Sequence, residues 1–488
     1  MPIDSTHPEY EAYQWQWRKC RACVEGEEAV KAGGTYYLPM LGGVGTDDYL
    51  SYKARASFYA AASRTVKGLA GAVLSRPYDI SYPGVKTQED FSKDNPLSNI
   101  GASNEPLSEI VRVCLEEVLT VGRIGVLVDA EGDGQPYLSL YYAEHVANWR
   151  EDVFRGRRRL SMLVLKEDGY EVDPNDSFVL LPVSRRRVFA LDADGLLTVE
   201  LFENSTLRSG NRSDGWAQVG GTILPRITGG NRLNFIPFVF INGGSTNPKP
   251  EKSPILDLVN VNLGHYRNSA DYEHGLHFTA LPTPWAAGWD DGPNGNSPDL
   301  RIGSLTAWTT NNPQAHAGML EFSGAGLASI RDALDRKERH MAALGARLLE
   351  DRKSDAESAK TTQLRKESEK SALSIVADQV SEGLTRALRW HAEWSRKPVD
   401  GVGIGLYTDF GAQGMDAVTL EKLFLVLQGK GISYPTFHYI LNRAGMYPDG
   451  TTLQKELDAI AAGSPVPDVS VSKDEEGDQG RSTNENKE

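Results

Sequence analysis

The sequence predicts an α+β fold, and three observations carry that reading. Residues 326–350 and 358–395 have the periodicity of two long helices, parted by a charged break at Asp351, Arg352, Lys353, Ser354 and Asp355. Residues 136–241 run instead in short alternating or apolar stretches punctuated by Gly, Asn and Asp, the pattern of β-hairpins. The chain of 488 residues is long enough to bury a sizeable core, and length alone suggests roughly two to four domains.

From the N-terminus, residues 8–31 read as a polar, aromatic helix that Gly33 and Gly34 end. Residues 38–45, with Pro39 and three glycines, form a loop. Residues 52–75 read as one helix, with Tyr59, Ala62, Val66, Leu69 and Val73 on a single face, and Pro77 stops it. A helix is expected over 106–120, with Pro106 near its first turn, and Gly122 breaks it into a buried strand over 124–129. Within the β-rich region the clearest strands are 137–142, 160–166, 187–191, 197–202 and 235–241.

Ser253 and Pro254 then open a helix that runs to about Phe278. Residues 281–326 are rich in Gly, Pro and Asn, with strands expected near 283–287 and 305–310. In the helix after them, Leu327, Ile330, Leu334, Met341, Leu344 and Leu348 form one apolar stripe. In the next, Leu373, Val376, Val380, Leu384, Leu388, His391 and Trp394 form another. A strand over 402–410 follows, then short helices over 416–427, 434–443 (capped by Ser433) and 452–462. Residues 464–488 carry almost no apolar side chains and cannot repay the entropy of ordering, so disorder is expected there.

Charge and motifs exclude several functions. A formal net charge of −14 argues against a protein whose main task is to grip a nucleic-acid backbone, though it permits nucleic acid to slide past. Cys20, Cys23 and Cys114 are too few and too unevenly spaced for a disulfide framework. The Cys20/Cys23 spacing lacks a second ligand pair and falls in a helix, so no zinc site is expected. The chain shows no leader pattern and no apolar run of about 20 residues, so a soluble, unsecreted protein is expected, with no membrane partner.

No phosphate-binding loop, zinc-protease motif or nucleophile elbow occurs. Gly401, Gly403 and Gly405 begin a strand rather than joining strand to helix, which rules out a dinucleotide fingerprint. His265, His274 and His277 share a helix but have no acidic third ligand. Glu27, Glu28, Glu116 and Glu117 are expected on solvated helix faces. No cofactor, metal or catalytic residue is therefore assigned, and the chain is not expected to be an enzyme.

The charges of the 326–350 helix are more telling. Arg331, Asp332, Asp335, Arg336, Lys337, Glu338 and Arg339 alternate in sign around it. That mosaic suits a solvated face with paired charges, or else a mixed-sign channel lining or contact between neighbouring subunits, for which Arg331, Asp335, Arg336 and Arg339 are the candidates.

The order of these segments resembles a bacteriophage portal protein, in a branch first catalogued as a domain of unknown function. The likeness rests on residues 52–59 and 64–71 leading to Arg76 and Pro77, and on 122–129. It continues through 253–257 with His265, Tyr266, Ser269 and Asp271, through 281–284, 320–326 and 341–349, and through 357–359, 371–373 and 384–388. It spans roughly 50–450 and departs at Ser358, where the branch would place Thr. None of these stretches is a catalytic signature; their order is what is specific.

The resemblance implies a portal fold. Residues 1–252 with 396–411 would be a mixed wing, 253–278 and 326–350 a helical stem, and 279–325 a clip. Residues 351–358 would be a tunnel loop, 359–395 a long helix, 412–463 a helical crown and 464–488 a tail. It implies a homo-oligomeric ring of about twelve subunits at one capsid vertex. Its implied partners are the terminase large subunit, a head–tail adaptor, and the major capsid and scaffolding proteins. Double-stranded DNA would pass without sequence specificity, with Arg352, Lys353 and Lys360 as channel candidates. The implied location is the virion, with the host cytoplasm during assembly. The rival readings are another virion structural protein (a connector or minor head protein) and an unrecognised metal-dependent hydrolase.

Overall fold

The computed structural model describes residues 3–40, 42–43, 45–85, 95–130, 135–205, 215–227, 230–280, 283–288, 312–320, 324–348 and 371–408, with short stretches between 422 and 458. Residues 1–411 form one compact unit and 412–488 a second. The first is a mixed α+β body.

Its N-terminal helix α1 (Pro8–Glu25) is capped by His7, whose Nδ1 accepts from the Glu9 amide. Gly26 interrupts the expected single helix, and α2 (Glu27–Ala32) continues beyond it. The predicted 52–75 helix is likewise two elements, α3 (Thr46–Arg55) and α4 (Ala61–Val73). The reason is tertiary. Ala56 leaves the helix at ψ 134°, and the Ser57 and Phe58 amides donate to Ser269 Oγ and Glu27 Oε2 rather than to the preceding turn. Strand β1 (Asp79–Ser81) follows.

Helix α5 (Leu107–Val121) ends at Gly122, whose φ of 86° is the left-handed cap conformation glycine adopts freely. The turn feeds β2 (Arg123–Asp129), buried along its whole length, which pairs antiparallel with β3 (Tyr137–Tyr142). The β-rich region then supplies β4 (Val146–Phe154), β5 (Arg157–Lys166), β6 (Gly169–Asp173) and β7 (Asp176–Leu191). It closes with β8 (Leu197–Ser205), β9 (Ala217–Ile223) and β10 (Phe238–Asn242). The expected strands are present, several of them longer; β4, β6 and β9 carry mixed or charged sequence that hid them from the pattern.

These strands form two sheets. One runs β4-β5-β7-β8-β9 with β6 on β7, all antiparallel; the other runs β10-β2-β3. In the smaller sheet Ile241 faces a helix while Arg123 and Phe240 face Trp149 of the larger sheet. Both faces are covered, which is why β2 and β10 read as continuous apolar runs rather than alternating ones.

That helix completes the core. After α6 (Leu256–Ala280), β11 (Thr283–Ala287), β12 (His316–Leu320) and α7 (Ala325–Ala346), α8 (Ala372–Trp394) lies on the small sheet. Ser371 caps α8 by accepting from the Ser374 amide. The seven predicted stripe residues, from Leu373 to Trp394, are all buried. Strand β13 (Gly403–Gly405) pairs with β1 and is held on α8 by Thr385, whose hydroxyl both receives from the Ile404 amide and donates to its carbonyl. It occupies only part of the strand expected over 402–410.

In the second unit, Ser433 Oγ accepts from the Thr436 amide at 3.3 Å, the cap predicted for the 434–443 helix, and Phe437 is buried. The expected strand over 305–310 and disordered tail over 464–488 lie outside the described residues.

Candidate functional site

Helix α6 divides into an anchored half and an extending half. Asn262 is fully buried and bonds two residues at the start of α4: its Oδ1 accepts from the Ala62 amide, and its Nδ2 donates to the Tyr59 carbonyl. Arg267 donates to the Tyr37 carbonyl at 2.8 Å, and the Tyr52 hydroxyl donates to Asp271 at 2.6 Å. These bonds fix residues up to about 271 against α3, α4 and the Tyr37 segment. Beyond them, Leu276 and Phe278 are 37% and 43% exposed.

Helix α7 returns antiparallel along α6. Near the body Gly345 lies against Leu258, midway Lys337 donates to the Gly264 carbonyl, and at the far end Leu327 meets Gly275. A Cβ at Gly275 would fall 2.6 Å from Leu327 Cδ2, so glycine there sets the helix spacing. The predicted α7 stripe is the face turned to α6, with Met341 fully buried. At the tip β11 and β12 pair antiparallel, and Trp285 and Met319 are 45% and 53% exposed. The whole arm is therefore a helical hairpin closed by a two-stranded ribbon with exposed apolar side chains.

The opposite face of α7 carries the subunit-contact candidates. Arg331, Asp335, Arg336 and Arg339 are all exposed. Among the described residues no ion pair joins any of them to another side chain; Arg339 Nε reaches only the Asp335 carbonyl. The anticipated i,i+4 pairs of a solvated helix are thus not formed. Glu338 instead points to α6 and meets His265 Nε2 at 3.3 Å. Burial lowers the His265 pKa, partly countered by Glu338.

A second exposed apolar surface lies on the β6–β7 hairpin. Tyr170, Val172, Phe178, Val179 and Leu180 all face solvent, Phe178 at 94%. Sequence reasoning missed it because no strand was expected over β6, and only residues 187–191 of β7 were. The channel candidates Arg352, Lys353 and Lys360, with the whole 351–358 loop, lie outside the described residues.

The remaining chemical candidates resolve into packing. Cys20 and Cys23 sit on the buried face of α1, where burial pushes their thiols up to about 11 and about 12. His277 contacts Arg55 at 3.3 Å, and His274 lies edge-on to Tyr52. No group of three or more metal-ligating side chains occurs among the described residues. Glu117 corrects the expectation of a solvated face, being turned inward against Arg21. Glu117 and Glu144 grip the two edges of the Arg21 guanidinium, every contact at 2.9 Å. Burial works to lower the Arg21 pKa, but those bonds outweigh it and hold it above its ordinary value. Glu27 bonds Lys31 and the Phe58 amide.

Residues 254–395, which take in the arm and α8, match the family model described as a domain of unknown function, DUF4055. No curated protein matches the chain. Among solved structures, it is similar to a chain of the virion of a native gene transfer agent particle, at 13% identity and a TM-score of 0.37, covering 85% of this chain and 98% of that one. It is also similar to a chain of the neck of the empty particle computed with C6 symmetry (14%, TM-score 0.36, 83% and 95% covered). A third likeness is to the neck of the native particle computed with C12 symmetry (14%, TM-score 0.35, 84% and 98% covered).

Proposed function

We propose that this chain is a phage portal subunit: a ring-forming virion protein that lines the channel for genome packaging and ejection. The observation that carries the reading is the α6–α7 arm. It leaves a two-signed charged face without an ion pair among the described residues and an apolar tip exposed, and a neighbouring copy around a ring axis would supply partners for both. The exposed β6–β7 hairpin adds a second surface that assembly would cover. The order of the sequence segments supports the same assignment.

In this reading α6 and α7 form the stem, the β11–β12 tip belongs to the clip, and α8 is the long helix after the tunnel loop. Residues 412–463 form the crown. Arg352, Lys353 and Lys360 touch phosphates of passing DNA, with Asp351, Asp355 and Glu357 keeping each contact weak. The role is mechanical rather than catalytic. The ring docks the terminase large subunit during packaging and a head–tail adaptor afterwards, and the major capsid and scaffolding proteins surround it.

Negative-stain electron microscopy with mass photometry tests the proposal. The expected result is a ring with a central hole, at about twelve times the 53.5 kDa chain mass. Monomers or dimers that persist both alone and on co-expression with the cognate capsid and scaffolding proteins would overturn it.

A further inference from the structure

A cleft on the body, away from the arm, gathers positive charge and aromatic rings in a chain that is strongly acidic overall. Its walls come from the β4–β5 hairpin, the segment around β10 and helix α8, and it encloses a cavity of about 330 Å³. Arg155 and Gly156, both at positive φ, turn the hairpin tightly and bring Arg158 and Arg159 to the cleft. Arg386 and Trp390 reach it from α8, and the Trp390 ring packs tilted against Phe235, ring centroids 5.1 Å apart at 33°.

These guanidinium groups are weakly engaged. Arg158 has no hydrogen bond or ion pair to any described residue. Arg159 donates to the Asn234 carbonyl at 3.3 Å and lies 3.9 Å over the Phe154 ring. Arg386 touches Thr246 at 3.3 Å and Glu382 at 3.4 Å. Glu151 is the one carboxylate in the lining and bonds no described side chain. Contrast Arg185, Arg186 and Arg187 on β7, each held by a carboxylate at 2.6–2.8 Å.

We propose that this cleft binds a nucleotide unit, a nucleobase carrying a phosphate, either free or exposed on a single strand. Guanidinium forks match phosphate oxygens in pairs, and Arg158, Arg159 and Arg386 offer three from two different elements. The half-buried Trp390–Phe235 wall is a stacking platform for a base. Glu151 accepts from an exocyclic amino group, so bases that carry one are favoured. The volume fits a single nucleotide and excludes a duplex. The site does not depend on the ring reading, since every wall belongs to one chain.

The test uses the full-length protein and three probes: guanosine monophosphate, inorganic phosphate and a fluorescein-labelled 15-nucleotide single-stranded DNA. Anisotropy and competition are compared between wild type and the Arg158→Gln/Arg386→Gln variant, with circular dichroism confirming the fold. Binding of either nucleotide probe that weakens at least tenfold in the variant, with phosphate a poorer competitor than the monophosphate, supports the site. A monophosphate that binds while the oligonucleotide does not assigns a free nucleotide; tight oligonucleotide binding assigns an exposed strand. Binding by neither probe, binding untouched by the variant, or displacement by polyglutamate but not by guanosine monophosphate would overturn it. Ring formation measured on the same variant keeps a failure here separate from a failure of the assembly reading.

Discussion

Arg123 is buried in the core, and no ion pair joins it to a carboxylate among the described residues. Its three nitrogens have no hydrogen-bond partner among the described residues, and the guanidinium lies 4.5 Å from the Trp149 ring and 4.3 Å from Phe240. Burial pushes its pKa down to about 9, so it stays charged at neutral pH, stabilised by the ring faces. His391 is the counterpart on α8. Its Nε2–H donates to the Pro136 carbonyl at 2.9 Å, and its Nδ1 meets the Tyr82 hydroxyl at 2.7 Å. Burial lowers its pKa to about 4, only partly offset by the Pro136 bond. A histidine with a depressed folded pKa contributes stability that is full above about 6.5 and is lost as pH falls towards 4. Between pH 7.5 and 4.5 that loss is on the order of 2–3 kcal/mol. His391→Gln is expected to flatten this part of the melting-temperature profile, and an unchanged slope would assign the loss to other buried histidines. Nothing in the sequence marked either residue: His391 fell on an apolar stripe, and Arg123 looked like the polar start of a strand.

At the scale of elements, periodicity was the strongest signal. The α7 and α8 stripes were legible because one face of each helix must be apolar to pack. The stripes could not show how differently the two helices pack. Helix α8 is enclosed by a sheet and other helices, whereas α7 has mainly α6 beside it. The break between α3 and α4 was invisible because residues 56–60 have ordinary helix propensity. Only Glu27 and Ser269, distant in sequence, draw the amides out of the helix. The exposed charges of α7 lead to a prediction. Reversing Arg331 and Arg336 to Glu should change monomer melting little, since unpaired surface charges usually count within about 0.5 kcal/mol. The same variant should lose most rings in mass photometry. Rings at wild-type abundance would remove this face from the subunit contact.

At the scale of the whole molecule, the formal net charge of −14 makes like copies repel one another. It also makes each local basic cluster informative. Residues 464–488 carry too few apolar side chains to join a core, so deleting them is expected to leave the ring distribution unchanged. Loss of rings in that deletion would make the tail part of the assembly. The sequence by itself determined the α+β class, the long helices with their apolar stripes and several of the strands. These follow from local periodicity, turn residues and helix caps, which act over a few positions along the chain. The tertiary structure alone decided which surfaces stay open: the unpaired face of α7, the apolar β6–β7 hairpin and the arginine cleft. Val179, 40% exposed, and Val183, buried, lie four residues apart on one face of β7. Only the neighbours brought by the fold distinguish them, because burial is a property of packing between distant segments.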